Sequence, residues 1–187
     1  MQEAIKVFKS GGIVIFPTDT AIGIGCRLNA TGSVRRVFDI KKRDYNKPLL
    51  VLVDSIQMAK KYVSIPKDVQ EKILDKYWPG RLTIIFKCNT DKIPALARSN
   101  GDTLGVRLPD NSKLREIIKA VGVPIVAPSA NFSGEKTPFK FEELNLELEK
   151  SADYILKDGV SLEKNVSTIV DCTVTPWKIV RQGEVKI

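Results

Sequence analysis

Short apolar runs alternate along the chain with segments whose apolar residues recur at helical spacing. Val34, Val37 and Phe38 illustrate the helical spacing, and residues 49–53 form a fully apolar run typical of a buried strand. A first helix, with Ala4, Ile5 and Phe8 on one face, should end before Gly11 and Gly12. We predict further helices over residues 31–41, 67–77, 111–121 (with Asp110 as its N-cap) and 141–150. We predict strands over residues 13–16, 49–53, 82–86, 104–108, 124–127, 154–156, 168–170 and 179–180.

This alternation of strands and helices is typical of an α/β fold with a mixed, twisted sheet and helices packed around it. Several clusters of polar residues follow the predicted strands directly. Ligands of open α/β sheets usually bind at strand ends, so these clusters are the candidate sites.

The composition narrows the class of protein. The 187 residues are 43% hydrophobic and 28% charged, a balance that excludes wholesale disorder. No apolar run approaches the roughly 20 residues that a membrane span needs, so we expect no membrane partner. Cys26, Cys88 and Cys172 are far apart and odd in number, which suits a reducing compartment. We expect one cytoplasmic domain over residues 1–187.

The net charge of +8 is concentrated in the first hundred residues, which hold 18 Lys and Arg against 9 Asp and Glu. Such asymmetry favours an anionic partner, a nucleotide or a nucleic acid, although a solvated lysine-rich surface would look the same. The chain has no histidine, which excludes Ser-His-Asp and Cys-His triads and His-ligated zinc. Any chemistry must use Lys, Arg, Asp, Glu, hydroxyls and backbone amides.

Two clusters sit in the first third of the chain. The stretch PTDT at residues 17–20, followed by Gly23 and Gly25, either binds a ligand with its hydroxyls or forms a tight turn that satisfies its own amides. Lys41, Lys42, Arg43 and Lys47 suit a polyphosphate, or else complement the dipole at the end of a helix.

Two further clusters follow later strands. Ser129, Asn131 and Ser133 come after the run 124–127 and supply neutral donors, either to a ligand or within a turn. Arg107 lies between apolar neighbours on a predicted buried strand, so it needs an internal carboxylate or an anionic ligand. The chain has no GxxxxGK[ST] or GxGxxG motif and no acidic cluster for a metal. We therefore expect no protein metal site, with Mg²⁺ carried on any bound nucleotide.

Seven stretches between Gly11 and Val185 stand out together. They read GGIVIFPTDTAIGIG, KKRDYNKPL, WPGRLTIIF, GVRLPD, VPIVAPSANFSG, STIVDCT and IVRQGEV. In this order they resemble the YrdC-like family of threonylcarbamoyl-AMP synthases. The resemblance implies the short, single-domain form of a twisted α/β fold around a large basic cavity. It also implies that L-threonine, bicarbonate and ATP react to give L-threonylcarbamoyladenylate and pyrophosphate. Partner proteins would then transfer the threonylcarbamoyl group to tRNA.

The resemblance also implies residue roles. The family's KxR and SxN motifs, which we expect to be catalytic, fall on Lys41, Arg43, Ser129 and Asn131. The positions expected to bind ATP are Arg43, Lys47, Thr103, Ser129, Thr137 and Arg181. Those expected to bind L-threonine are Thr20, Arg107, Ala127 and Ser167.

Two departures from the family pattern keep other functions open. Ile22 stands where the family usually has Tyr, and Leu52 stands where some members have His. These changes motivate one alternative, a nucleotide-binding paralogue without synthase activity. The basic first half of the chain motivates another, a double-stranded RNA-binding module, which would show steep salt dependence.

Overall fold

The computed structural model describes residues 1–157 and 165–187, and within them the α/β class is confirmed. The helices are α1 (Gln2–Lys9), α2 (Thr31–Ile40), α3 (Ile56–Lys60), α4 (Lys67–Val69, continued by Gln70–Leu74 and Asp75–Tyr77), α5 (Ser112–Val121) and α6 (Leu146–Lys150). The strands are β1 (Val14–Pro17), β2 (Ile22–Gly25), β3 (Leu50–Leu52), β4 (Leu82–Lys87), β5 (Thr103–Arg107), β6 (Ile125–Val126), β7 (Tyr154–Ile155), β8 (Thr168–Asp171) and β9 (Lys178–Arg181).

The strands divide between two sheets, where the sequence predicted one. The larger has the order β6-β3-β5-β4-β8-β9 and the smaller the order β2-β1-β7. Both are mixed, as predicted. In the larger sheet β3 and β5 are parallel and β4 and β5 antiparallel, and in the smaller sheet β1 and β7 are parallel and β1 and β2 antiparallel.

A seam of backbone hydrogen bonds joins the two sheets between β2 and the segment around β6. The Ile24 amide donates to the Pro128 carbonyl at 2.9 Å, and the Ala130 amide donates to the Ile22 carbonyl at 2.8 Å. The seam leaves no room for a side chain at Gly25, where a Cβ would lie 1.6 Å from the Val126 carbonyl oxygen. The loop between β1 and β2 is thereby held beside the loop after β6.

The amphipathic helices bury the faces that the sequence predicted. Ala4, Ile5 and Phe8 of α1 are buried, as are Val34, Val37 and Phe38 of α2. Residues 67–77 are helical as predicted, but Gln70–Leu74 forms a wider π-helical turn. Among the described residues, no helix is long and apolar enough to cross a membrane.

Two helix predictions need correction. Asn111, not Asp110, is the N-cap of α5, because its side chain accepts the Leu114 amide hydrogen at 3.0 Å. Residues 141–150 are not one helix: a 3₁₀ turn (Phe141–Glu143) is followed by α6. Leu144 has an extended backbone there, and the Asn145 side chain accepts the Glu147 amide hydrogen and starts a new helix.

Candidate functional site

A cavity of about 340 Å³ lies where the two sheets meet. Its wall carries three arginines (Arg43, Arg107 and Arg181) and, among the described residues, no carboxylate. Threonine and serine hydroxyls surround these cations, contributed by Thr18, Thr20, Thr83, Thr103, Ser129, Thr137 and Ser167. The volume lies in the range of small-molecule sites, and the lining suits an anion with several hydrogen-bond acceptors.

The loop between β1 and β2 is a hydroxyl-stabilised turn. The Thr18 hydroxyl donates to the Ala21 carbonyl at 2.8 Å and accepts the amide hydrogens of Thr20 and Ala21 at 3.1 Å. It also lies 3.0 Å from the Thr20 hydroxyl. The turn therefore satisfies its own amides, and Thr18 and Thr20 also line the cavity. Ligand binding by these hydroxyls stays a prediction.

Arg107 stands at the end of β5 and is 3% exposed. Its Nη1 donates to Asp19 Oδ1, and its Nη2 donates to the Thr20 hydroxyl at 3.1 Å. Its Nε is buried with no hydrogen-bond partner among the described residues. An internal carboxylate thus balances the charge of Arg107, while its Nε–H has no acceptor among the described residues.

Lys41 follows α2 and is only 2% exposed. Its Nζ donates to the backbone carbonyls of Ser129 and Asn131, the latter at 2.6 Å. Burial, and then the charge of Arg43, lower the pKa of Lys41 to about 7. Lys41 does not line the cavity; it ties the end of α2 to the loop that carries Ser129.

Arg43 lines the cavity and is braced from behind by the chain that follows it. Its Nε donates to the Lys47 carbonyl at 3.0 Å, and its Nη2 donates to the Pro48 carbonyl at 2.9 Å. Burial lowers the pKa of Arg43, and the charge of Asp44 partly opposes this. The Lys47 side chain is exposed and outside the lining, and Lys47 contacts Arg43 through its backbone carbonyl.

Ser129 and Asn131 have different positions. Ser129 lines the cavity, and its hydroxyl donates to Asn131 Oδ1. Asn131 lies outside the lining, and its Nδ2 donates to the carbonyls of Phe132 at 3.0 Å and Glu135 at 2.8 Å. The amide of Asn131 therefore orients the serine hydroxyl and closes the loop.

Arg181, at the end of β9, also lines the cavity. Its Nη2 donates to the carbonyl of Ser167 at 2.8 Å and to the hydroxyl of Ser167 at 2.9 Å. That hydroxyl lies 3.0 Å from the Thr83 hydroxyl. Burial lowers the pKa of Arg181, and the positive charge of Arg107 lowers it further.

Nine of the twelve predicted site residues line this one cavity: Thr20, Arg43, Thr103, Arg107, Ala127, Ser129, Thr137, Ser167 and Arg181. Lys41, Lys47 and Asn131 do not. Their catalytic and binding roles stay predictions. Of the two departures, Ile22 is in the wall, whereas Leu52 is buried outside it.

The sequence reasoning overlooked Thr83 and the partnership of Asp19 with Arg107. Thr83 had a visible signal in the sequence, because its hydroxyl interrupts the apolar run 82–86. In the structure Thr83 is 1% exposed. Asp19 had none, because its partner lies 88 residues away in the sequence. Among the described residues, no group of three or more Cys, Asp or Glu side chains gathers to hold a metal.

The sequence model of the Sua5/YciO/YrdC family, which carries the description "Telomere recombination", matches residues 6–183. The chain belongs to this family. The resemblance drawn from the seven stretches is thereby confirmed. A relative in Methanocaldococcus jannaschii, named a putative threonylcarbamoyl-AMP synthase, is 35% identical over 97% of this chain and 84% of its own length.

Two longer members of the Sua5/YciO/YrdC family extend the comparison. The threonylcarbamoyl-AMP synthase of Bacillus subtilis is 27% identical over 98% of this chain. The crystal structure of Pyrococcus abyssi Sua5 complexed with L-threonine superposes with a TM-score of 0.91 at 27% identity, over 97% of this chain. The chain spans 53% of the length of each of these two relatives.

Proposed function

We propose that this chain is a threonylcarbamoyl-AMP synthase, which joins L-threonine, bicarbonate and ATP into L-threonylcarbamoyladenylate and releases pyrophosphate. The observation that carries the proposal is the cavity with three arginines and a ring of hydroxyls, in a chain that superposes on a threonine-bound Sua5. The names of the Methanocaldococcus and Bacillus relatives support the same activity.

The reaction requires charge stabilisation and positioning more than proton transfer. The threonine amine and bicarbonate form a carbamate and water. A carbamate oxygen then attacks the α-phosphorus of ATP, a new P–O bond forms, and the bond to the pyrophosphate leaving group breaks. The nucleophile and the triphosphate are both anions, so fixed cations and donors lower the barrier by holding them together. A site without histidine can supply this chemistry.

At the phosphate end, we assign Arg43 and Arg181 to the triphosphate. Both guanidiniums line the cavity and are already braced by backbone carbonyls, so little reorganisation is needed when the anion binds. The hydroxyl of Ser129 lines the same cavity and would donate to the triphosphate once its hydrogen turns away from Asn131 Oδ1. Lys47, Thr103 and Thr137 complete the proposed nucleotide contacts. Lys41 and Asn131 were predicted to be catalytic but lie outside the cavity lining, and we propose that they act by holding the Ser129 loop.

At the threonine end, we assign the carboxylate of the substrate to Arg107, whose side chain lines the cavity and is held by Asp19. Thr20, Ala127 and Ser167 line the same cavity and are proposed to bind the rest of the amino acid. A pocket that hydrogen-bonds the threonine hydroxyl would reject valine strongly.

Mg²⁺ is expected to arrive with ATP as part of the substrate. Transfer of the threonylcarbamoyl group to tRNA is proposed to need partner proteins, and a cytoplasmic location would suit that role.

The test is pyrophosphate release from Mg·ATP with bicarbonate, measured with and without L-threonine, and with the product mass checked for threonylcarbamoyl-AMP. We expect release only when threonine and bicarbonate are both present. Folded protein that binds ATP without threonine-dependent release would identify a paralogue lacking the synthase reaction. Protein that binds no ATP but binds duplex RNA with a steep salt dependence would identify the RNA-binding module.

A further inference from the structure

Asp19 and Arg107 form a buried ion pair at the threonine end of the cavity. Their side chains are 5% and 4% exposed, and the two residues come from the β1–β2 loop and the end of β5. Asp19 itself does not line the cavity, whereas Arg107 does. A ligand in the cavity therefore meets the arginine, and the carboxylate acts from behind it.

The contacts of Arg107 divide its donors into two sets. Nη1 donates to Asp19 Oδ1, while Nη2 donates to the Thr20 hydroxyl at 3.1 Å and approaches the Thr18 hydroxyl at 3.5 Å. Nε has no partner among the described residues, although it is buried. Because Nε is sealed off, a ligand in the cavity meets Arg107 at other atoms of its side chain. A carboxylate is the anion that an arginine fork fits best.

Asp19 is itself fixed from a second direction. Its Oδ2 accepts the amide hydrogen of Asp110 at 3.1 Å, in the segment that follows β5. The carboxylate thus fastens both the Arg107 side chain and the chain just beyond it to the β1–β2 loop. With both oxygens engaged, Asp19 holds the guanidinium in one orientation.

We propose that Asp19 is a positioning residue for amino-acid recognition: by holding the Nη1 end of Arg107, it fixes the orientation in which the arginine side chain in the cavity wall meets the substrate carboxylate. The inference rests on the proposed function for the identity of the amino acid. Asp19 also balances the charge of Arg107, which lies close enough to Arg181 for the two cations to interact. Without the Asp19 carboxylate, the cavity would have a larger net positive charge, and Arg107 would lose its fixed orientation.

Asp19→Asn removes the negative charge, while asparagine keeps the size of the side chain and an oxygen for the Asp110 amide. We expect the dissociation constant for L-threonine, measured by calorimetry, to rise at least about tenfold. The dissociation constant for Mg·ATP should stay the same or fall. In turnover, the KM for threonine should rise while kcat at saturating threonine changes less than about threefold.

Asp153→Asn is the matched control. Asp153 also pairs with an arginine, Arg36, at 3.0 Å and accepts a backbone amide hydrogen, that of Ile13, at 2.7 Å, but it lies outside the cavity wall. We expect the control to be less stable than wild type and to bind threonine with an unchanged dissociation constant. If Asp19→Asn does not fold, Asp19→Glu keeps the charge but lengthens the side chain by one methylene, so it should also weaken threonine binding.

The outcomes separate the two proposals. If wild type binds no threonine, the proposed function fails. If wild type binds threonine and the folded Asp19 variant binds it within twofold of wild type, the positioning role is overturned. A threonine affinity lost equally in Asp19→Asn and Asp153→Asn, or lost together with ATP affinity, would also overturn it, because a merely structural role predicts such a general loss.

Discussion

Lys42 and Arg43 are adjacent cations in the turn after α2, but they contact different parts of the molecule. The Lys42 ammonium lies 4.2 Å from the centre of the Phe132 ring and 3.6 Å from Glu147. Arg43 is in the cavity wall and braced by the Lys47 and Pro48 carbonyls. The sequence could show a cationic cluster and two explanations for it, but not which cation faces a ligand.

This contrast predicts that only one of the two charges matters for catalysis. Arg43→Met should lower pyrophosphate release on the order of 100-fold, because it removes a fixed donor to the phosphates. Lys42→Met removes the same charge from the same turn and should leave the rate within about twofold, with a loss of stability near 1 kcal/mol. Equal rate losses in the two variants would mean that the turn acts through its summed charge rather than through Arg43.

At the scale of elements, periodicity predicted the amphipathic helices and the apolar strands because one buried face imposes a clear pattern. It did not predict β2, because two of the four residues of this strand are glycines and only its two isoleucines favour a strand. It also joined the 3₁₀ turn at Phe141–Glu143 and α6 into one helix, because the break at Leu144 has no Gly or Pro. The seam between the sheets was invisible, since backbone pairing between distant segments leaves no local pattern.

The seam gives a prediction about Gly25. Gly25→Ala places a methyl group 1.6 Å from the Val126 carbonyl oxygen, and backbone cannot move aside as a side chain can. We expect the free energy of unfolding to fall by about 3 kcal/mol or more, measured by urea denaturation. Activity should fall as well, because the seam holds the Thr20 loop beside Ser129.

Gly32→Ala tests whether any Gly→Ala change has this effect. Gly32 lies in α2, and nothing is within 4 Å of the Cβ position. Alanine should stabilise the helix there by roughly 0.5–1 kcal/mol. A similar loss of stability in both variants would refute the tight approach at the seam.

At the scale of the whole molecule, the candidate site belongs to neither sheet alone. Thr20 and Ile22 reach the cavity from the smaller sheet, and Thr83, Thr103 and Arg107 reach it from the larger one. The tendency of ligands to bind at strand ends in α/β sheets predicted that the polar clusters at such edges form the site. It could not predict that a junction of two sheets would bring them together, because that depends on how the sheets pack.

A ligand bound at this junction should stabilise both sheets together. With Mg·ATP at 100 times its dissociation constant, linkage predicts a gain of about 2.7 kcal/mol in the free energy of unfolding. Trp78 and Trp177 adjoin β4 and β9 of the larger sheet, so fluorescence reports on that sheet, whereas circular dichroism reports on all the helices and strands. We expect urea transitions by the two methods to coincide without ATP and to shift equally with it, because unfolding either sheet destroys the site. A shift confined to fluorescence would place ATP on the larger sheet alone and would contradict a site shared across the seam.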